Sequence, residues 1–177
     1  MRSARVGAVT ALALALGACS SSGSGKLACP HVGIVPELQA VAKFGPGPGR
    51  QDTDAIFGAR MTAAQASCSA DKKKSGVTVA TKLGVMALRI QPDVKKGQVT
   101  YFEAVINRRQ EILAERDFVI DLEWPRSQRE LTITDELETF VPFAKDAGGD
   151  DYAILFGFRL TPDELQYNRE HAAKPQG

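Results

Sequence analysis

The chain has 177 residues, of which 44% are hydrophobic and 24% are charged. This length and composition predict one globular domain and exclude a chain that is disordered along most of its length. Lysine and arginine number 22 against 21 acidic residues, a formal net charge of +1. That balance excludes a general nucleic-acid binder, which would be strongly basic, so no nucleic-acid partner is expected.

Residues 1–18 have the layout of an export signal. Arg2 and Arg5 form a positive start, and an apolar stretch follows over residues 6–16. That stretch is too short to span a membrane, which needs roughly 20 apolar residues. We therefore predict that residues 1–18 are a signal peptide that is removed from the mature protein. The formal charge of the remaining chain is −1.

The signal ends in Leu16-Gly17-Ala18-Cys19, which resembles the lipobox of bacterial lipoproteins. The resemblance implies cleavage after Ala18 and acylation of Cys19, and several acyl chains on one residue anchor it firmly in membrane lipid. Ser20, rather than Asp, follows the cysteine. By resemblance to Gram-negative lipoproteins, this favours the outer membrane, with the protein on its periplasmic face. The alternative is a plain secretory signal that happens to end in a cysteine.

The rest of the chain divides into a tether, a domain and a tail. Residues 19–28 are predicted to be the lipidated cysteine and a flexible tether, because their serines and glycines have almost nothing to bury. Residues 29–171 are predicted to form the single folded domain. Residues 172–177 are predicted to be a loose tail.

Two cysteines, Cys29 and Cys68, remain beyond Cys19. In an oxidising compartment they are expected to form a disulfide. The bridge would close a loop of about 40 residues and contribute roughly 3–4 kcal/mol to stability. The alternatives are two buried thiols or metal ligands shared with His31, but these residues lack the spacing of a structural zinc site. We therefore expect no metal and no cofactor.

Apolar residues recur at every second position after residue 50, which is the period of half-buried strands. An extended piece over residues 32–44 and a Gly/Pro loop over residues 44–50 precede six such strands. This pattern predicts an all-β fold, an immunoglobulin-like antiparallel β-sandwich, with a small closed β-barrel as the alternative. A change of parity after Ala87 predicts a bulge near Met86. Arg116 is an inward exception on its strand.

A short C-terminal helix is predicted from Thr161-Pro162-Asp163-Glu164. This segment has the threonine, proline and glutamate of a helix start with a capping box. The helix is expected to fade near His171.

The sequence offers little catalytic chemistry. His31 and His171 lack the neighbours of a catalytic triad or a zinc helix, so no enzyme is expected. Acidic residues on one strand could form a cation or glycan site, or a solvated face opposite Lys82 or other basic side chains. These acidic residues are Glu115, Asp117, Asp121 and Glu123.

Clusters of positive charge lie in the predicted turns, and alternate turns of a sandwich lie at the same end. We predict that one end binds a partner through its basic residues, unless these are only solubilising loop charges. Tyr101 and Val105, assigned to the outward face, are the competing contact. The candidate binding residues are Lys72, Lys73, Lys74, Arg108 and Arg109, and the other end groups Lys95, Lys96, Arg126 and Arg129.

Three segments of the mature chain resemble a class of uncharacterised Gram-negative envelope lipoproteins. They are residues 29–32, residues 45–54 and residues 156–168, which begin Cys-Pro-His-Val, Gly-Pro-Gly-Pro-Gly-Arg and Phe-Gly-Phe-Arg. The resemblance implies an envelope lipoprotein domain and brings no known activity or active site.

The predicted function is a lipid-anchored, non-enzymatic binding or scaffold domain for an envelope protein or glycan. A carrier of a small apolar or glycan ligand is one alternative, and it would need a concave apolar pocket between the sheets. A cell-wall glycan hydrolase is another, and it would need two carboxylates that face each other across a cleft.

Overall fold

A computed structural model describes residues 28–47, 49–70 and 75–172. The predicted signal peptide, Cys19, the candidate residues Lys72, Lys73 and Lys74, and tail residues 173–177 lie outside the described residues. The described chain is an all-β sandwich of two four-stranded sheets with one short C-terminal helix, as the sequence predicts. Its two sheets do not close into the alternative barrel.

The two sheets differ in how their strands pair. In the first sheet the spatial order is β1 (His31–Ile34), β8 (Tyr152–Phe158), β5 (Lys96–Asn107) and β6 (Ile112–Glu123). In the second sheet it is β2 (Ala40–Phe44), β3 (Ala55–Ala70), β4 (Gly76–Arg89) and β7 (Glu130–Pro142). Neighbouring strands are antiparallel, except that β1 runs parallel to β8.

The N-terminal piece that was predicted as one extended segment forms two strands in different sheets. A short 3-10 turn over Pro36–Leu38 separates β1 from β2 and carries the chain across the sandwich. Val35 N–H still bonds to the first sheet, through the carbonyl of Phe156 at 2.9 Å. Proline fixes its own φ and has no N–H to donate to a ladder, which explains the break at Pro36.

The inner face of β4 keeps one parity along its whole length. Val85 and Ala87 are buried, Leu88 is 41% exposed, and Arg89 is buried again. The predicted parity change and the bulge near Met86 are therefore wrong. The bulge lies in the neighbouring strand β3, at the register shift between Met61 and Ala63.

The extra residue of this bulge is Thr62, which lies against Gly84 of β4. A Cβ at Gly84 would lie 2.7 Å from Thr62 Oγ1, so glycine makes room for the threonine side chain. A bulge of this kind increases the local twist of the strand pair.

Both faces of β5 are buried. Tyr101 and Val105 point into the core, with 0% and 5% exposure, so the outward apolar patch that was predicted at these residues is wrong. Phe102 lies on the opposite face and is also buried, because the guanidinium of Arg159 stacks over its ring at 4.7 Å. An alternating pattern cannot show which face is inward when both faces are apolar and covered.

The strand β6 is buried only in its second half. Ile120 and Leu122 are buried, as the period of a half-buried strand predicts, but Ile112 is 60% exposed and Leu113 is 53% exposed. Because β6 is an edge strand, it has a hydrogen-bonded neighbour on one side only. The prediction of a strand that is half-buried throughout is therefore wrong for the first half.

The predicted helix is confirmed as α1 (Pro162–Ala172). Thr161 Oγ1 accepts from Glu164 N–H at 3.2 Å, and Glu164 Oε2 accepts from Thr161 N–H at 2.9 Å, which is the predicted capping box. Glu164 also pairs with Lys43 Nζ at 2.8 Å, which holds the helix against β2. No helix in the described part of the chain has the length and apolar character to cross a membrane.

Candidate functional site

The predicted disulfide between Cys29 and Cys68 is confirmed. It joins the residues just before β1, in one sheet, to β3 in the other, across Cα atoms 6.0 Å apart. Because both sulfurs are bonded to each other, neither cysteine is a free thiol or a metal ligand, which excludes the two alternatives.

The predicted binding residues Arg108 and Arg109 lie in the turn between β5 and β6, and both have acidic neighbours. Arg108 forms ion pairs with Asp151 and, with 3.8 Å between Nη2 and Oδ2, with Asp150. Arg109 Nη2 bonds to Glu111 Oε2 at 2.9 Å. The described part of this turn therefore has mixed charge instead of a positive surface, and a binding role for these residues stays a prediction.

A cleft of about 590 Å³ opens at the opposite end of the sandwich, where residues 90–95 and 124–129 connect the strands. We call it the Arg89 cleft. The structure brings together here three of the four basic residues that the sequence groups at this end, while the fourth, Arg129, supplies the carbonyl that accepts Arg89 N–H at 2.7 Å. The cleft is lined by Arg89, Pro92, Lys95, Lys96, Glu123, Trp124, Pro125 and Arg126.

Arg89 is 6% exposed, although it ends a strand. Its side chain takes an inward position after Ala87, and its Nη atoms donate to the carbonyls of Val94 and Arg126 at 3.4 and 3.3 Å. These long bonds reach one carbonyl in each connecting segment, and Nε has no acceptor among the described residues. A buried charge without a counter-charge costs several kcal/mol, and the described residues supply no carboxylate to Arg89.

Trp124 also contributes a donor without an acceptor. It is the only tryptophan in the chain and is 4% exposed, with its ring packed against Phe57 at 5.4 Å between centroids. Its Nε1 atom has no acceptor among the described residues. Most buried donors in native proteins have a partner. Two such donors from the lining of one cleft therefore single this cleft out.

The remaining cations of the cleft differ in how far they are neutralised. Lys96 is exposed and bonds to Glu123, and this hydrogen bond and the charge of Glu123 raise the pKa of the Lys96 ammonium. Lys95 and Arg126 are exposed and form no ion pair with any described residue. The lining therefore has four cationic side chains and one carboxylate, an excess of positive charge.

The acidic residues of β6 all have partners. Arg159 Nε donates to Asp117 Oδ1 at 2.8 Å, which raises the pKa of the guanidinium, and Arg159 also pairs with Glu115. Asp121 accepts from Gln98 at 2.8 Å. Lys82, which was expected to face this stripe, pairs instead with Glu136 of β7. Three of these acids are thus ion-paired, and Asp121 is held by a hydrogen bond.

A polar cluster around a buried glutamate could also have been predicted from the sequence, but was not. Glu103 of β5 is 2% exposed and accepts from Arg116 Nε at 3.1 Å and from the hydroxyl of Thr139 in β7. Arg116 was predicted to point inward, and its guanidinium does reach Glu103 and Thr139, although half of its side chain is exposed. An inward arginine on a strand requires an acid on a neighbouring strand, and this signal could have found Glu103.

Beside this cluster, Tyr101 donates to Asp135 Oδ2 at 2.6 Å. Burial of the phenol and, next, its hydrogen bond to Asp135 raise the pKa of Tyr101. These contacts join the first sheet to β7 of the second and leave the polar groups occupied in holding the sandwich together.

Comparisons with protein-family models, with curated proteins and with solved structures give no match for this chain. The resemblance of the mature segments to envelope lipoproteins therefore stays a prediction.

Proposed function

We propose that this chain is a non-enzymatic binding domain, lipid-anchored on the periplasmic face of the outer membrane, that holds an anionic envelope component in the Arg89 cleft. The observation that carries this proposal is the guanidinium of Arg89, which is buried beside a cleft without a carboxylate partner among the described residues. An anion in the cleft would supply the missing counter-charge.

Charge compensation favours this end of the sandwich over the end that holds Arg108 and Arg109. Both of those arginines have carboxylate neighbours. Lys95 and Arg126 at the cleft are exposed and unpaired with any described acid. An incoming anion would therefore meet uncompensated charge at the cleft, whereas it would compete with Asp151 or Glu111 at the other end.

The anchor and the compartment are proposed from the sequence. The segment Leu16-Gly17-Ala18-Cys19 after a short apolar stretch supports acylation of Cys19. The disulfide between Cys29 and Cys68 supports an oxidising compartment, because such bonds are rare in the cytosol of most organisms. A tethered domain also has a high effective concentration near other envelope components, so that a weak contact can suffice.

The role is proposed as non-enzymatic because the carboxylates that could take part in acid–base chemistry on β5 and β6 are engaged in structural contacts. Glu115 and Asp117 are the neighbouring carboxylates that most resemble the catalytic pair of a glycan hydrolase, and both bind Arg159. Glu103 is enclosed by Arg116 and Thr139. These contacts suit carboxylates that hold a rigid binding scaffold together better than carboxylates that transfer protons in a reaction.

Replacing Cys19 by alanine tests the anchor. We expect Cys19→Ala to remain unprocessed or to appear as soluble periplasmic protein, because the thiol that receives the lipid is gone. Metabolic labelling with a fatty acid and membrane fractionation measure this directly. Ser20→Ala is the matched control and should be acylated like the wild type. Acylated Cys19→Ala protein in the outer membrane would show that the anchor is not at this residue.

A further inference from the structure

We infer that the Arg89 cleft is a binding site for a small phosphate-bearing molecule. This inference rests on the proposed function and names the ligand class of the same site.

The charge of the lining fits a phosphate better than a carboxylate. Arg89, Lys95 and Arg126 have no acidic partner among the described residues, and Glu123 offsets only Lys96. A carboxylate brings one negative charge, whereas a phosphate monoester brings about 1.5 to 2 at neutral pH and three acceptor oxygens. Three uncompensated cations therefore match the phosphate more closely.

The donors also suit a phosphate. Arginine presents a planar set of N–H groups that match phosphate oxygens, and lysine serves as a point charge beside it. Arg89 Nε and Trp124 Nε1 have no acceptor among the described residues, but both atoms are enclosed, so the exposed Lys95 and Arg126 supply the donors that meet a ligand first. Arg89 is already held from two sides by the carbonyls of Val94 and Arg126, so its charge is fixed in place before a ligand arrives.

The size of the cleft indicates an organic phosphate instead of the bare ion. About 590 Å³ is within the range of small-molecule sites and exceeds what one phosphate group fills. Pro92 and Pro125 are exposed in the lining and provide apolar ring surface for the rest of the ligand.

The place of the cleft favours a soluble ligand over a lipid headgroup. Cys29 is bonded to Cys68, which pairs with Val79 of β4. Arg89 lies ten residues farther along β4, about 33 Å at the rise of a strand. In the proposed anchored protein the tether thus joins one end of the sandwich, and the cleft opens at the other, away from the anchoring lipid.

The emission of Trp124 tests the inference, since this is the only tryptophan and it lines the cleft. The full-length protein in non-ionic detergent is titrated at constant ionic strength with inorganic phosphate, glycerol 3-phosphate, acetate and dihexanoyl-phosphatidylglycerol. We expect a saturable change with glycerol 3-phosphate, weaker binding of inorganic phosphate, and none with acetate.

Two matched variants locate the binding. Lys95→Gln/Arg126→Gln removes two exposed charges at the cleft, and Arg108→Gln/Arg109→Gln removes two exposed charges at the other end. The cleft variant should bind glycerol 3-phosphate at least about tenfold more weakly, as expected for lost hydrogen bonds to a charged group. The other variant should bind like the wild type. Arg89→Gln should abolish binding.

The outcomes distinguish a soluble phosphate from a lipid headgroup, and the phosphate inference from the proposed anion-binding role. Saturation by phosphatidylglycerol alone, weakened in the cleft variant, would keep the phosphate chemistry and assign it to a headgroup. Cleft-dependent binding of acetate without phosphate would overturn the phosphate inference and leave the proposed anion-binding role standing. Binding of no probe, or equal weakening in both variants, would overturn the inference.

Discussion

Replacing Arg116 by methionine should lower the free energy of unfolding by about 3 kcal/mol, the low end of the range for a buried charge that loses its partner, because Glu103 is buried while Arg116 is half exposed. The side chain of Glu103 is only 1% exposed. Without Arg116, the hydroxyl of Thr139 would be the only side-chain donor to its carboxylate among the described residues. Urea unfolding followed by circular dichroism measures the change.

Two further variants test the cause of this loss. Lys82→Met also removes the cation of an ion pair with a glutamate, Glu136. Because Lys82 and Glu136 are both exposed, the urea midpoint should not move measurably. The double variant Glu103→Met/Arg116→Met should recover most of the stability, because apolar side chains replace the pair without leaving a charge. A single variant Arg116→Met that is as stable as the wild type would show that Glu103 needs no counter-charge.

Removing the disulfide should have an effect of similar size. Cys29 and Cys68 are 39 residues apart in sequence, and the chain-entropy treatment assigns about 4 kcal/mol to a loop of this length. For a domain of this size such a loss corresponds to a decrease of about 8–16 °C in Tm. Thermal unfolding of Cys29→Ala/Cys68→Ala measures it.

Reduction provides the control for this prediction. Dithiothreitol should lower the Tm of the wild type to nearly that of the double variant, and it should leave the Tm of the variant unchanged. If the variant unfolds at the temperature of the oxidised wild type, packing alone holds β1 to the sandwich and the disulfide adds nothing.

Features that depend on neighbouring residues were predicted correctly from the sequence, whereas the buried face of a strand, which depends on distant parts of the chain, was not. The capping box at Thr161 and Glu164 depends on neighbouring residues only, and the structure has it as predicted. The pairing of Cys29 with Cys68 followed from the number of cysteines and the expected compartment. The choice of the buried face of β5 failed at Tyr101, because Arg159 from a distant part of the chain covers Phe102 on the other face.

At the candidate site, too, the contacts with distant parts of the chain could not be predicted from the sequence. Residues Lys95, Lys96 and Arg126 could be grouped from the sequence, since alternate turns of a sandwich share an end. The partners that neutralise Arg108 come from the 3-10 turn over Gly149–Asp151, which is distant in sequence, so the sequence could not show them. Arg89 was missed because a parity change was assumed just before it.

Affinity capture of the lipidated protein from outer membranes tests the central claim most directly. The wild type, Lys95→Gln/Arg126→Gln and Arg108→Gln/Arg109→Gln are compared, with mass spectrometry of both small and large captured components. We predict an anionic component with the wild type and with Arg108→Gln/Arg109→Gln, and its loss with the cleft variant. An anionic component that is retained by the cleft variant but lost with Arg108→Gln/Arg109→Gln would contradict the account.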